Sequence, residues 1–446
     1  MTTPSDATRR AAALIAEQEA HTIECAFPDT WGTLRGKRVP AAHFPAIAEK
    51  GFAIANAAFT WDMHCELWEV DFANLDTGYP DMHAVPDLTT LRPVPWRSGA
   101  AIVMCDTIDK TTHAPIELDP RHVLRTAVER IAAHGFEPLV APELEFYLCD
   151  ENWNPLYDDV QCYGIAKGAE LEPILADIRR HVAELGIVIE ACNTEYGPAQ
   201  VEVNLRYGPA LEVADSTALF KYAVKEIARQ QGARATFMAK PFTGFSGNGT
   251  HIHLSLRDAS GANALAHQDA PDDPIGNTLM ARLVAGMLTR QRELAAVLSP
   301  TINAYKRLTD ASFAPTYVNW GGDNRGVAVR TVADQGAASR IELRTASGDT
   351  NLHLAVACQL AAAADALENE YPLPPMCTGN GYADQDQPRM PRSLIEAVEA
   401  LRAGPLVRQA FGDVFHRNLV QLLEHEITEF DREVTDWERR RYIEVA

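Results

Sequence analysis

Leu139-Val-Ala-Pro-Glu143-Leu-Glu145-Phe-Tyr-Leu-Cys149 decides how this chain is read. It is an apolar run of strand length carrying two acids, and the two-residue period of a strand turns Glu143 and Glu145 to one face. Alone, that is an ordinary exposed strand face. The same spacing returns in His251-Ile-His253 and in Arg340-Ile-Glu342-Leu-Arg344, and Glu195 and Glu202 bracket another short run. Strands that each present charge on one face predict a shared polar cavity. Five carboxylates with one or two imidazoles form a hard, oxygen-rich ligand set, suited to Mg²⁺ or Mn²⁺ more than to zinc or copper. So many acids exceed the needs of one ion and point to a two-metal site that clamps a transferring phosphoryl group. Arg307, Arg325, Arg330, Arg340 and Arg344 add planar cationic forks for carboxylate and phosphate, so a phosphorylated or nucleotide ligand is expected.

Outward from this run, helix and strand signals alternate. Asp119-Pro120 starts a helix that runs through Ala133 and stops at Gly135, with Asp as cap and Pro in the first turn. Periodicity predicts further helices over 172–185, 217–231, 278–298 and 352–369, interleaved with strands near Val188, Val201, Thr250, Val327 and Arg340. That texture is α+β or α/β. Before residue 105 the chain changes character: a mixed polar helix at the N-terminus, then short β-rich runs over 22–27, 51–59 and 101–105 separated by Pro, Gly and Asp, which read as a small sheet domain. No repeat or low-complexity linker separates the two parts.

The chain has 446 residues, 46% hydrophobic and 23% charged, enough to bury a large core; disorder and fibrous repeats are excluded. Sixty-one acidic against forty basic residues give a net charge of -21, which repels phosphate backbones and anionic lipid. Neither nucleic acid nor membrane is an expected partner. Eight cysteines without a C-x-x-C pair fit reduced thiols, and no apolar run approaches the ~18 residues of a membrane span, so a cytoplasmic location is expected. Gly32-Thr-Leu-Arg-Gly36-Lys-Arg is too short for a P-loop. Gly244-Phe-Ser-Gly247-Asn-Gly249 leads into a strand instead of a helix, which fails the dinucleotide context but lets backbone amides approach a ligand beside His251. No G-x-S-x-G elbow is present, and covalent catalysis has no support.

Together these residues resemble the glutamine synthetase family, type I, along almost the whole chain. The matching motifs are Pro142-Glu-Leu-Glu-Phe, Glu195 to Glu202 with Gln200 between, Ala239-Lys-Pro running to His251-Ile-His253-Leu-Ser255, Ser299-Pro-Thr-Ile-Asn-Ala-Tyr-Lys-Arg307, Asp323-Asn-Arg325 and Arg340-Ile-Glu-Leu-Arg344. The resemblance implies an α+β fold: a small N-terminal β-grasp domain over 1–108 and a larger catalytic domain with an active-site β-funnel over 109–446. It implies a homo-oligomer of stacked hexameric rings with active sites between neighbouring subunits. By motif, Glu145, Glu195 and Glu202 correspond to ligands of the metal nearer the amino acid, and Glu143, His251 and Glu342 to ligands of the metal that holds the ATP phosphates. Glu190, His253 and Ser255 correspond to nucleotide contacts, Arg325 and Arg330 to arginines near the transferring phosphate, and Ser246, Gly247, Arg307 and Arg344 to glutamate-binding positions.

Three departures bear on the substrate. Ammonia-using members carry a flap glutamate before Ala-Pro; here the stretch is Ser312-Phe313-Ala314-Pro315, and a phenyl ring neither holds ammonium nor accepts its proton. The family's Asp-Gly-Ser-Ser loop is replaced by Phe59-Thr-Trp-Asp62-Met-His64, and with Phe313 unable to accept, Asp62 or the metal-bound Glu195 remain as candidate proton acceptors. The Asn-Gly-Ser-Gly-Met-His loop reads Ser246-Gly-Asn-Gly-Thr-His251. Tyr382 lies in the region of the regulatory tyrosine of adenylylated members, without its motif. With the metal and arginine positions intact and the ammonium site turned apolar, the pattern resembles the glutamate–amine ligase branch (γ-glutamylamine synthetases). The expected reaction is ATP-dependent joining of the γ-carboxylate of L-glutamate to an organic primary amine (a monoamine, ethanolamine or a polyamine) through a γ-glutamyl phosphate. The other readings are an ammonia-dependent glutamine synthetase and a catalytically silent regulatory homologue; against the latter stand six intact metal positions.

Overall fold

A computed structural model describes residues 6–266, 273–334 and 336–446. Two sheets organise them. The first has six strands in the order Leu34–Pro40, Thr22–Pro28, Ala100–Asp109, Asp81–Pro86, Phe52–Ala55, with Arg92–Pro93 also on Ala100–Asp109. Thr22–Pro28 runs parallel to Ala100–Asp109 with Cys25 opposite Val103; its other neighbour, Leu34–Pro40, is antiparallel. This is the small N-terminal sheet expected. Leu34–Pro40 escaped the sequence reading because it is a polar edge strand, with Gly36, Lys37 and Arg38 exposed. Gly36 is needed there: a Cβ would sit 1.8 Å from the Cys25 carbonyl oxygen. The strand expected over 51–59 is shorter, Phe52–Ala55, and turns into a 3₁₀ turn at Asn56–Phe59.

The second sheet has nine strands, in the order Trp320–Gly322, Val329–Val332, Arg340–Leu343, Thr250–Arg257, Glu137–Cys149, Gln200–Leu205, Ile189–Thr194, with Gly208–Pro209 and Arg234–Thr236 also pairing with Glu137–Cys149. Its pairings are antiparallel except that of the first two strands. Behind it lie the helices. Leu352–Glu368 is alanine-rich and buried on nearly every side, which combines high helix propensity with a fully apolar surface. It packs against Pro120–Ala132, Thr278–Leu298, Ala210–Gln230 and Leu406–Arg432.

Helix Ala210–Gln230 begins about two turns before the expected 217, and Asp215 within those turns is a buried acceptor for Arg121 and His353. The helices Leu394–Ala403, Leu406–Arg432 and Asp436–Tyr442 had no counterpart in the sequence reading. Arg121, fully buried, joins the two sheets' surroundings: its guanidinium meets Asp87 and Asp106 from the first and Asp215 from helix Ala210–Gln230. Among the described residues no helix is long and apolar enough to cross a membrane.

Candidate active site

Strand Glu137–Cys149 keeps the expected alternation, burying Pro142, Leu144 and Phe146 while Glu143 and Glu145 line the opposite face. Register brings the other charged residues to them. Glu145 faces Glu202, Glu143 faces His251, His253 faces Glu342, and Glu342 faces Arg330 on the next strand. Two groups of ligand atoms result, Glu143 with His251 and Glu342, and Glu145 with Glu202 and His251, the atoms of each lying within 4.8 Å of one another. His251 Nδ1 is 3.2 Å from Glu143 and 3.7 Å from Glu342.

Carboxylates opposed like Glu145 and Glu202 repel unless a cation joins them. Burial, then the charges of Glu143, Glu145 and Glu195, push the Glu202 carboxyl up to about 9. Burial and Glu145 push Glu195 up to about 7. On the other side burial would raise Glu143, but hydrogen bonds from His251 and His253 outweigh it and hold the carboxyl far below its usual range. Glu342 likewise falls to about 2 against burial, mainly through Arg344. Carboxylate oxygens with one imidazole, crowded enough that Glu195 and Glu202 resist ionisation, are a donor set that fits hard divalent cations.

Glu195, the expected third ligand of the first group, neighbours Glu145 and Glu202 closely enough for their charges to act on one another; Asn193 donates to it at 3.0 Å and Cys162 Sγ lies 3.9 Å away. His251 belongs to both groups of ligand atoms. His253 is held differently. Its Nδ1 accepts from Arg340 Nε at 3.0 Å, which orients the ring and leaves Nε2 facing Glu143 at 3.0 Å.

Glu190, His253 and Ser255 share a cavity of about 530 Å³ with Glu143, Arg340 and Tyr207. Tyr207 was not anticipated; its signal is an aromatic residue just past strand Gln200–Leu205. Arg330 is tied to Glu342 at 2.6 Å and to Asp323 at 3.1 Å, whereas Arg325 is exposed and makes no hydrogen bond or ion pair with the described residues.

On the other side of the cluster Gly247 and Gly249 let Arg307 come close: a Cβ at Gly247 would lie 2.8 Å from Arg307 Cγ, and one at Gly249 2.5 Å from its Nη2. The loop is fixed by Gln200 Nε2, which donates to Gly247 O at 3.0 Å, and by the Tyr147 hydroxyl donating to Ser246 O at 2.6 Å. Arg307 and Arg344 are both buried, yet Arg307 Nη1 and Arg344 Nε have no hydrogen-bond partner.

Phe313 is half-exposed with φ 59°, and its ring stacks on Tyr196 with centroids 5.6 Å apart. Tyr196 follows edge strand Ile189–Thr194, and Phe313 precedes the opposite edge, Trp320–Gly322. The loops that leave the two edges of the sheet therefore meet across its face. Tyr196 and Cys162 were missed, although Tyr196 directly follows Glu195 in sequence. Asp62 is not brought to the cluster by its own chain: its Oδ1 accepts from the amides of His64 at 2.8 Å and Glu66 at 2.7 Å, and Glu426 lies beside it.

The family model described as glutamine synthetase, catalytic domain, matches residues 117–442. The chain belongs to the glutamine synthetase family. Within it, a glutamate–isopropylamine ligase from Pseudomonas sp is 35% identical over 97% of this chain and 96% of that protein. The gamma-glutamylethanolamide synthetase GlnA4 of Streptomyces coelicolor is 38% identical over 97% of this chain and 94% of that protein. The solved structure of a GmaS/ADP complex superposes with a TM-score of 0.86 at 28% identity, covering 97% of this chain and 99% of that one. This glutamine synthetase fold accordingly carries an acid and histidine cluster able to hold a divalent cation.

Proposed function

We propose that the chain joins the γ-carboxylate of L-glutamate to an organic primary amine at the expense of ATP. The observation that carries this is the Tyr196–Phe313 stack beside Glu195, an apolar rim where an ammonium site would need charge. The relatives named for isopropylamine and ethanolamine support it.

Gly247, Arg307 and Arg344 hold glutamate, and Glu190, His253 and Ser255 the nucleotide. A γ-carboxylate oxygen attacks the terminal phosphorus of ATP and ADP leaves, giving γ-glutamyl phosphate. The neutral amine nitrogen then attacks the acyl carbon, the C–N bond forms, and phosphate departs with the cleaved C–O bond. Glu195, at the rim and outside both ligand groups, takes the ammonium proton; Asp62 of a neighbouring copy is the alternative acceptor. Arg325 and Arg330 face the transferring phosphate. Glu143, Glu145, Glu202, His251 and Glu342 would hold two Mg²⁺ or Mn²⁺ ions, which when bound neutralise charge on the phosphoryl oxygens. The working form is a homo-oligomer of stacked hexameric rings in the cytoplasm.

The test is phosphate release with ATP, glutamate and a panel of primary amines that includes ammonium. Release should require glutamate and be faster with an organic amine; ammonium as the best nucleophile at equal concentration would replace this reading by ammonia-dependent glutamine synthesis.

A further inference from the structure

Tyr382 sits in the 3₁₀ turn Gly381–Ala383. Buried Asn319 pins that turn: its Nδ2 donates to Gly381 O at 3.0 Å and to Asp384 at 3.2 Å, while its Oδ1 accepts from the Ala328 amide at 3.2 Å. Asn324 adds a bond to Gly379 O at 2.8 Å, and Gly381 packs so closely on Gly326 that a Cβ would lie 2.1 Å from its carbonyl oxygen. The turn is thus a fixed platform against the segment leading into strand Val329–Val332.

From this platform the Tyr382 hydroxyl is closed off from solvent, and its proton meets no acceptor among the described residues. The Phe313 amide is directed at its oxygen, and the charges of Arg344 and Arg307 act on it. Arg307 Nη1 and Arg344 Nε are also buried and unpartnered. A buried donor without an acceptor is costly, and folded proteins leave few of them. Arg307 Nη2 donates to Arg344 O at 3.4 Å and Arg344 Nη2 to Phe313 O at 3.5 Å, so the three unpartnered donors belong to one linked neighbourhood, the imprint of an oxygen-bearing ligand.

We infer that the Tyr382 hydroxyl donates to the substrate carboxylate that Arg307 and Arg344 hold, the one that is not phosphorylated. This rests on the glutamate reading above.

The test is calorimetric titration of the full chain with Mg²⁺, comparing wild type with Tyr382→Phe, which keeps the ring. L-Glutamate should bind the variant about tenfold more weakly, while 4-aminobutyrate, which lacks the second carboxylate, should bind both proteins equally. At saturating glutamate kcat should stay within about twofold, and the ligand-free thermal midpoint should not fall, because an unsatisfied hydroxyl has been removed. Equal glutamate affinity, or equal weakening of both ligands, would overturn the assignment and leave the glutamate reading intact. A wild type that binds no glutamate would overturn both.

Discussion

Tyr196 and Phe313 stack with their planes 28° from parallel, although their loops leave opposite edges of the nine-stranded sheet. That contact ties together the loops that leave the two edges, at the rim where the proposed reaction would admit its amine.

Phe313→Glu should therefore change nucleophile choice. It removes apolar contact with the amine's carbon chain and restores a charged flap. A loss of about 1.4 kcal/mol of transition-state contact lowers kcat/KM for the preferred amine about tenfold. Ammonium use should rise or hold. Steady-state kinetics with both nucleophiles decide it; an unchanged ratio of the two specificity constants would place selection elsewhere.

Glu202→Gln tests the cation cluster. In the cation-free chain it relieves the repulsion with Glu145, so the thermal midpoint after chelation should rise above wild type. Added Mg²⁺ should then stabilise it less; for wild type the gain is about 2.7 kcal/mol at one hundred times Kd. Phosphate release should collapse. A variant with wild-type stabilisation by Mg²⁺ and near-normal turnover would show that Glu202 is no ligand.

The strand faces were legible because alternation is local: Glu143 and Glu145 could be placed on one side without knowing any partner. The sharing of His251 between two groups was not, since it depends on the register that sets Glu145 opposite Glu202. Tyr196 meets Phe313 across the face of the sheet, and no sequence window spans both edges. Leu34–Pro40 was hidden by its exposed lysine and arginine, which suit an edge strand but erase its period. Helix Leu352–Glu368, apolar on all sides and rich in alanine, stood out for the opposite reason.

Arg121→Met should be the most damaging change outside the site. The guanidinium has no exposed surface and balances Asp87, Asp106 and Asp215. Removing it leaves buried Asp215 with His353 alone, while the partly exposed Asp106 keeps Arg125 at 2.8 Å, a loss of about 3 kcal/mol. Arg121→Lys should recover only part, because an ammonium cannot replace a planar fork that reaches several carboxylates. Urea midpoints for the three proteins check the order; a methionine variant as stable as wild type would contradict it.

Lys221 supplies a pH signature of folding. Its ammonium donates to Gly348 O at 2.8 Å and Thr350 O at 3.0 Å, with no carboxylate of the described residues in ion-pair contact. Burial, then the neighbouring Lys225, draws its pKa down from 10.5 to about 7, and Asp349 only partly opposes this. Between those values the unfolded chain binds more protons at this position than the folded chain, so this group's contribution to stability rises with pH. Below about pH 7 both states are protonated and the cost of burying the charge is fully present; above 10.5 both are neutral and the cost is gone. Lys221→Met removes the titration along with two hydrogen bonds. Its stability should be lower at high pH, where the wild-type amine still bonds without charge, and its rise between pH 7 and 10 should be flatter than wild type by up to about 1.4 kcal/mol per pH unit. Urea midpoints measured at each pH unit across that window decide it: parallel curves for the two proteins would mean that Lys221 titrates alike in both states and that its surroundings do compensate the charge.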